Sequence, residues 1–425
     1  MKQQYYLQDL ETFKTKALYW ANQFGTACLL DSNGYTTDPY TAFDALLAAG
    51  VKYELTAHAG NAFEQLHQFL AHHPNNFCLG YFSYDLKNEV EQLQSANEDH
   101  LQFPDLYFFI PQYLIKIQSE QISIEAENPD IIWNAIHQVD LSDQTGVDFT
   151  GKLTKRFSYS AYQEVINELK KYIYSGDIYE INFCQEFFAN QAQIHPINTF
   201  IELNKISPTP FANFFKNDNR YIISATPERF LSKRAGKLIS QPIKGTARRS
   251  KDELEDNRSK HLLKNSPKEL SENVMIVDLV RNDLTKSAQK GSVYVEELFG
   301  IHSFKQVHQM ISTIVCHAAD QLSNTSIIRN TFPMGSMTGT PKIKAMQLIE
   351  KYERTKRGVY SGAVGYFSPN GDFDFNVIIR TILYNAKNNY LSFQVGSAIT
   401  LNADPKQEYE ECMVKAEAII QVLSS

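Results

Sequence analysis

Cysteine is scarce in this 425-residue chain, and what there is lies scattered. Cys28, Cys78, Cys184, Cys316 and Cys412 are odd in number and show no CxxC spacing, which argues against a disulfide framework and a zinc site. No apolar run approaches the roughly 20 residues a membrane helix needs. The opening MKQQYYLQDLETFKTKAL is polar and mixed in charge, without the apolar core of a signal peptide. A cytoplasmic protein without a membrane segment is expected. Basic charge is lacking too: 41 Lys and Arg against 48 Asp and Glu leave a net charge of -7. That excludes a general nucleic-acid binder, though not a local basic site for a small anion. Internal repeats and low-complexity tracts are absent.

What is present suits a large soluble fold. Hydrophobic residues make up 43% of the chain, enough to bury a sizeable core, and the length suggests two or three domains or one large sheet-based one. Segments 27–32, 78–86, 106–118 and 122–127 read as strands, with Pro111 at a bulge or edge. Segment 38–50 reads as a helix ending at Gly50, and 130–155 as a polar connection without pattern. The resulting division is 1–135 and 150–425, with both parts woven into one fold. In the second part a helix follows Ser160 and Gln163, a capping-box pair, and ends at Gly176. Strands are expected at 178–189, within 221–245, and at 292–299, 363–367, 375–383 and 391–400. Ser266-Pro267 with Glu269 marks a helix start, and a last helix runs from Pro405 to Leu423. Many strands, several long helices and no βαβ alternation predict the α+β class.

Several residue groups carry chemistry. Lys244 lies in QPIKGTARR, between an apolar residue and a Gly-Thr pair. Burial there would lower its pKa and free the nucleophilic amine; a solvated loop charge is the alternative. Glu408, Glu411 and Lys415 share one face of the last helix. Two carboxylates one turn apart suit Mg2+, or else form a solvated face with an i,i+4 pair. Glu272, beside the apolar run VMIVDLV, is an exposed neighbour or a third metal ligand. Glu228 precedes Arg229, its candidate surface ion-pair partner. The Gly335–Lys342 loop enters a helix, where backbone amides favour anions, but lacks the Walker A order. Arg380, in NVIIRTI, needs a carboxylate partner or a ligand. Cys184 has no activating base nearby and reads as a small buried residue.

Together, the runs SATPERFL, PIKGT, SENVMIVDLVRNDL, FPMGSMTGTPKIKAM, YSGAVGYF, VIIRT, VGSAIT and DPKQEYEE resemble the chorismate-utilising enzymes. These are the large components of anthranilate synthase and aminodeoxychorismate synthase, and the isochorismate and salicylate synthases. The runs come in the family's order over about 155–425. The first half resembles the family more loosely, through LLDS, DPYTAFD and GYFSYDL. The resemblance implies a large two-sheet sandwich with helices outside. It also implies Mg2+ held by Glu272, Glu408 and Glu411. Arg380, Tyr360, Thr338, Thr246 and Lys415 would surround the substrate, with Gly396, Ser397 and Ala398.

Within the family, lysine at position 244 resembles the branch that aminates chorismate at C4, an amino-group transferase; anthranilate synthases carry alanine there. The resemblance then implies that Lys244 attacks C2 and that Glu228 acts as general acid and base. Ammonia would replace the lysine at C4. No glutaminase or lyase segment is evident in the sequence. The resemblance therefore implies a separate glutamine amidotransferase subunit and a separate lyase leading to 4-aminobenzoate and folate. Anthranilate synthase is the near rival, and a non-catalytic chorismate-binding subunit the distant one.

Three departures stand out. Gln309 occupies the family's histidine position, with His308 one place earlier. Glu180 replaces the water-activating lysine of the isochorismate and salicylate synthases, which argues against water addition. Aspartate in LLDS replaces the glutamate of feedback-regulated anthranilate synthases, so tryptophan inhibition is not expected.

Overall fold

Strand Thr26–Asp31 shows how this sequence builds its core. Ala27 and Leu29 point into one apolar cluster, Cys28 and Leu30 into another, and all four are buried. Strand Ala45–Ala57 repeats the pattern, with Ala45, Leu47 and Ala49 on one side and Leu46 and Ala48 on the other. No helix forms over 38–50 as expected: 38–44 is irregular and the strand begins at Ala45. Alanine and leucine favour helices in isolation, but a strand buried on both faces reads as an unbroken apolar run, and packing overrides propensity.

The computed structural model describes residues 1–35, 38–142 and 146–424. Its named strands pair antiparallel. One row runs from Gln121–Glu125 through Leu106–Gln118, Ala45–Ala57, Thr26–Asp31, Phe211–Asn217, Arg220–Thr226, Thr381–Asn385 and Tyr390–Ile399 to Glu180–Ala189. A second row leaves Leu106–Gln118 on the edge that Gln121–Glu125 occupies, at the other end of the strand. It runs through Cys78–Phe82, Ala363–Phe367, Phe373–Val377, Arg229–Arg234 and Lys237–Gln241 to Val307–His317. The expected two sheets are therefore continuous through one long strand, whose Pro111 lies at a register shift. Tyr81 of the second row packs edge-on against Phe215 of the first, ring centroids 5.4 Å apart.

Helices cover the outer faces, which makes the molecule α+β. Leu10–Ala21, Tyr159–Tyr174, Pro196–Ile206 and Pro405–Val422 pack on the first row through Phe13, Tyr162, Leu203 and Ala416. Ala62–His72, Pro267–Thr285 and Asn324–Thr331 pack on the second through Phe63, Ile276 and Ile327. Among the described residues no helix is long and apolar enough to cross a membrane.

Local signals mark the helix starts well. Ser266 accepts a hydrogen bond from the Glu269 amide, and Asp404 from those of Lys406 and Gln407. The helix expected after Ser160 is capped instead by Ser158, which accepts from the Ala161 amide. The supposed connection at 130–155 holds a helix, Pro129–His137, capped by Asn128; residues 143–145 lie outside those described. The strand expected over 375–383 breaks in two around Arg380, whose φ is +52°.

Candidate active site

Lys244 is placed by a distorted strand. Ile243–Arg248 pairs with Val307–His317, but the register slips between Ile243 and Thr246, where Gly245 adopts φ +90°. That left-handed φ favours glycine, and a Cβ there would also press on the Glu269 side chain, whose Cβ would lie 3.3 Å away. The slip leaves Thr246 exposed and Lys244 buried. Lys244 Nζ donates to Glu180 Oε1 at 2.6 Å. Burial favours the free amine, but the carboxylates of Glu180 and Glu272 outweigh it and hold the pKa above the ordinary lysine value. The expectation of a desolvated free amine is thus corrected: in this state Lys244 is an ammonium, because a carboxylate is buried beside it.

Glu228 lies at the turn between Arg220–Thr226 and Arg229–Arg234, one hairpin from Lys244. Burial pushes its pKa up to about 7, against a hydrogen bond from Ser336 Oγ at 2.5 Å and the charges of Lys244 and Lys415. It is a carboxyl poised to give or take a proton near neutral pH. The surface pair with Arg229 does not form. Arg229 is buried and turns the other way, to Asp374 at 3.1 Å and Asp38 at 2.7 Å.

Glu272 comes from Pro267–Thr285, Glu408 and Glu411 from Pro405–Val422. Glu272 and Glu408 are buried, and Glu411 is partly open. Burial, only partly countered by Lys244 and Lys268, pushes Glu272 up to about 7. All three carboxylates converge on Lys268 Nζ, at 3.9, 3.1 and 3.8 Å respectively. Lys415 Nζ ties Glu411 Oε1, at 2.6 Å, to the Gly396 carbonyl, at 2.8 Å.

Arg380 has no side-chain acceptor among the described residues. Burial lowers its pKa, against the pull of Tyr360 and Glu411. A guanidinium left this way is suited to a carboxylate ligand. Lys244, Glu228, Glu180, Glu272, Glu411, Lys415 and Arg380 thus form one electrostatically linked group.

Other carried-over residues sit differently. The Thr338 hydroxyl is taken up by the Met334 and Gly335 carbonyls, at 3.3 and 3.2 Å. Ser397 Oγ meets Tyr162 Oη at 3.2 Å, and Ala398 is buried beside it. A Cβ on Gly396 would lie 2.5 Å from Cys184 Sγ, so the close packing there demands glycine. Tyr360 is buried, its hydroxyl 3.7 Å from the same sulfur. All five cysteines are free and buried, and burial pushes the Cys184 thiol up to about 12, so it is no nucleophile.

Comparison with known proteins places this group in context. The family described as chorismate binding enzyme matches residues 18–421, nearly the whole chain. The chain belongs to that family. It is similar to aminodeoxychorismate synthase component 1 of Klebsiella aerogenes, 32% identical over 381 residues covering 85% of this chain and 82% of the relative. The Escherichia coli protein of the same name is 33% identical over 349 residues, covering 81% and 76%. Anthranilate synthase component I from Streptococcus pneumoniae shares the fold, with TM-score 0.76 and 24% identity over 90% of this chain and 94% of that one. So does the menaquinone-specific isochorismate synthase from Escherichia coli, with TM-score 0.77 and 16% identity over 100% and 94%.

The chorismate-binding family implies a divalent ion, and the residues fit one. Among the described residues, Glu272 Oε1 and Glu408 Oε2 are buried without a hydrogen-bond partner, and the donor set is all carboxylate oxygen, as Mg2+ prefers. Among the described residues no group of three ligating side chains stands drawn together as a finished metal centre. At the family's histidine position, Gln309 is buried opposite Thr246, with no hydrogen-bond partner for its Oε1 among the described residues. His308 instead bridges Ser303 Oγ at 2.8 Å and Asp256 Oδ1 at 3.1 Å, pinning the helix Glu253–Lys264 to the sheet.

Sequence reading missed three partners: Ser336 on Glu228, Glu180 on Lys244, and Lys268 among the carboxylates. Ser336 lay within a recognised loop and Lys268 one turn before Glu272. Glu180 is 64 residues from Lys244, and no local pattern links them.

Proposed function

We propose that this chain is a cytoplasmic amino-group transferase that converts chorismate to 4-amino-4-deoxychorismate. Ammonia would come from a separate glutamine amidotransferase subunit, and a lyase would carry the product to 4-aminobenzoate for folate. The observation that carries this reading is Lys244 Nζ, buried on Glu180 within the field of Glu272 and Glu228, in a chain whose relatives include aminodeoxychorismate synthases component 1.

Each residue has a task. Arg380 and Lys415 attract the two carboxylates of chorismate. Glu272, Glu408 and Glu411 would hold Mg2+, which when bound would supply Lewis-acid charge for the ring carboxylate. Lys244 gives its proton to Glu180, the acceptor already hydrogen-bonded to it, and its amine bonds to C2. The ring double bonds shift and the C4–O bond breaks, with the Glu228 proton leaving on the departing hydroxyl as water. Ammonia then bonds to C4 and the C2–N bond to Lys244 breaks by the reverse shift. Glu228 takes the surplus proton from the new amine, and the Glu180 proton returns to Lys244.

A product assay tests this. The purified chain is incubated with chorismate, Mg2+ and ammonium, with and without an added aminodeoxychorismate lyase. The expected result is 4-aminobenzoate only with the lyase, abolished in Lys244→Ala. Anthranilate and pyruvate appearing without the lyase would overturn the reading in favour of anthranilate synthesis. Undiminished turnover in Lys244→Ala would remove the covalent route.

A further inference from the structure

Lys268 stands where the three carboxylates meet. It is one helical turn before Glu272, and its ammonium reaches Glu408 Oε1 at 3.1 Å, Glu411 Oε2 at 3.8 Å and Glu272 Oε1 at 3.9 Å. Its side chain remains 45% exposed while that of Glu408 is 1% exposed, so the charged head reaches inward from the surface. Without a cation, three glutamates at this spacing repel one another, and two of them are buried. A lysine suits the place, being a compact charge on a flexible stem able to rotate away.

We propose that Lys268 is a tethered stand-in for the divalent ion, holding the three carboxylates together in its absence and swinging into solvent when it binds. This rests on the metal reading of Glu272, Glu408 and Glu411 given above. The ammonium and the ion cannot share the point on which the carboxylates converge, since both are cations and both need the same oxygens. The chain then binds metal only in the fraction of molecules with Lys268 turned out, and the observed affinity is reduced by that fraction. Lys268 is a positioning residue, in competition with the ion rather than in contact with substrate.

Two measurements on the full chain without chorismate test this. In calorimetric titration with MgCl2, Lys268→Gln should bind Mg2+ ~10-fold more tightly than the unaltered chain, as follows if the lysine occupies the site about nine-tenths of the time. Lys268→Arg, which keeps the charge, should gain nothing. In the unaltered chain, acetylation of Lys268 by an amine-reactive reagent, mapped by mass spectrometry, should rise when MgCl2 is added, as the ammonium leaves its carboxylates. This second readout does not depend on any variant folding. Equal affinity in Lys268→Gln, or weaker, together with unchanged labelling would overturn the proposal while leaving the metal site intact. If neither chain binds Mg2+ at millimolar concentration, the metal reading itself fails, and this proposal with it.

Discussion

Arg357 and Arg380 are both guanidiniums inside the fold, and their surroundings could hardly differ more. Arg357 is 2% exposed and fully engaged. It donates to Glu353 Oε2 at 2.9 Å and Oε1 at 2.6 Å, to the Met337 carbonyl at 2.6 Å and to the Asn182 carbonyl at 2.9 Å. The network fastens the Gly335–Thr340 loop to the strand carrying Glu180. Arg380, only partly buried, has no side-chain hydrogen-bond partner among the described residues and sits at φ +52° in the gap between two strands. A satisfied cation stabilises a scaffold; an unsatisfied one in a left-handed turn is held there by its surroundings, at a cost of about 1–3 kcal/mol.

Replacing each arginine should break the comparison in opposite ways. Arg357→Met leaves Glu353 buried and unpaired, and should lose about 3–5 kcal/mol of stability in denaturant unfolding, or fail to fold. Arg380→Gly should do the reverse. It relieves the left-handed backbone and leaves stability unchanged or higher by up to about 1 kcal/mol. It should also raise KM for chorismate by roughly 10- to 100-fold, the worth of a charge-assisted hydrogen bond to a carboxylate. A stability loss without a KM effect would mean that Arg380 belongs to the scaffold.

A finer contrast comes from pH. Glu228 has its pKa raised by burial from 4.5 to about 7, so the folded state favours its protonated form. The stability this contributes is fully present below the unfolded value and is lost as pH rises through about 7. Between pH 4.5 and 7 the unaltered chain should therefore lose stability relative to Glu228→Gln, whose side chain does not titrate. A difference that stays flat over that window would show Glu228 to be an ordinary carboxylate. The smallest effect is expected at Cys184, beside Gly396 but chemically inert. Cys184→Ala should keep turnover within about threefold and cost about 1 kcal/mol for the small void. A large drop in turnover at unchanged stability would give the thiol a role in the reaction.

Much of the site was legible because its residues sit in short runs with strong local grammar. Ser266-Pro267 and Asp404-Pro405 start the two helices that carry Glu272, Glu408 and Glu411, and each cap is a contact between residues two or three apart. The glycine beside Lys244 announced a tight backbone turn. Less was legible where burial on two faces erases alternation, as in Ala45–Ala57. The break at Arg380 was likewise hidden, inside a run apolar enough to be one strand.

The sequence by itself determined the class of the fold, the order of the family's runs, the helix starts and the residue types assembled for chemistry. These follow from contacts between near neighbours and from side-chain composition. Only the tertiary structure decided the protonation of Lys244, the pairing of Arg229 with Asp374 and Asp38 rather than Glu228, and the convergence of three glutamates on Lys268. The reason is electrostatic. A buried group's charge state is set by whichever opposite charge the fold brings within a few ångström, and that neighbour can lie anywhere in the chain.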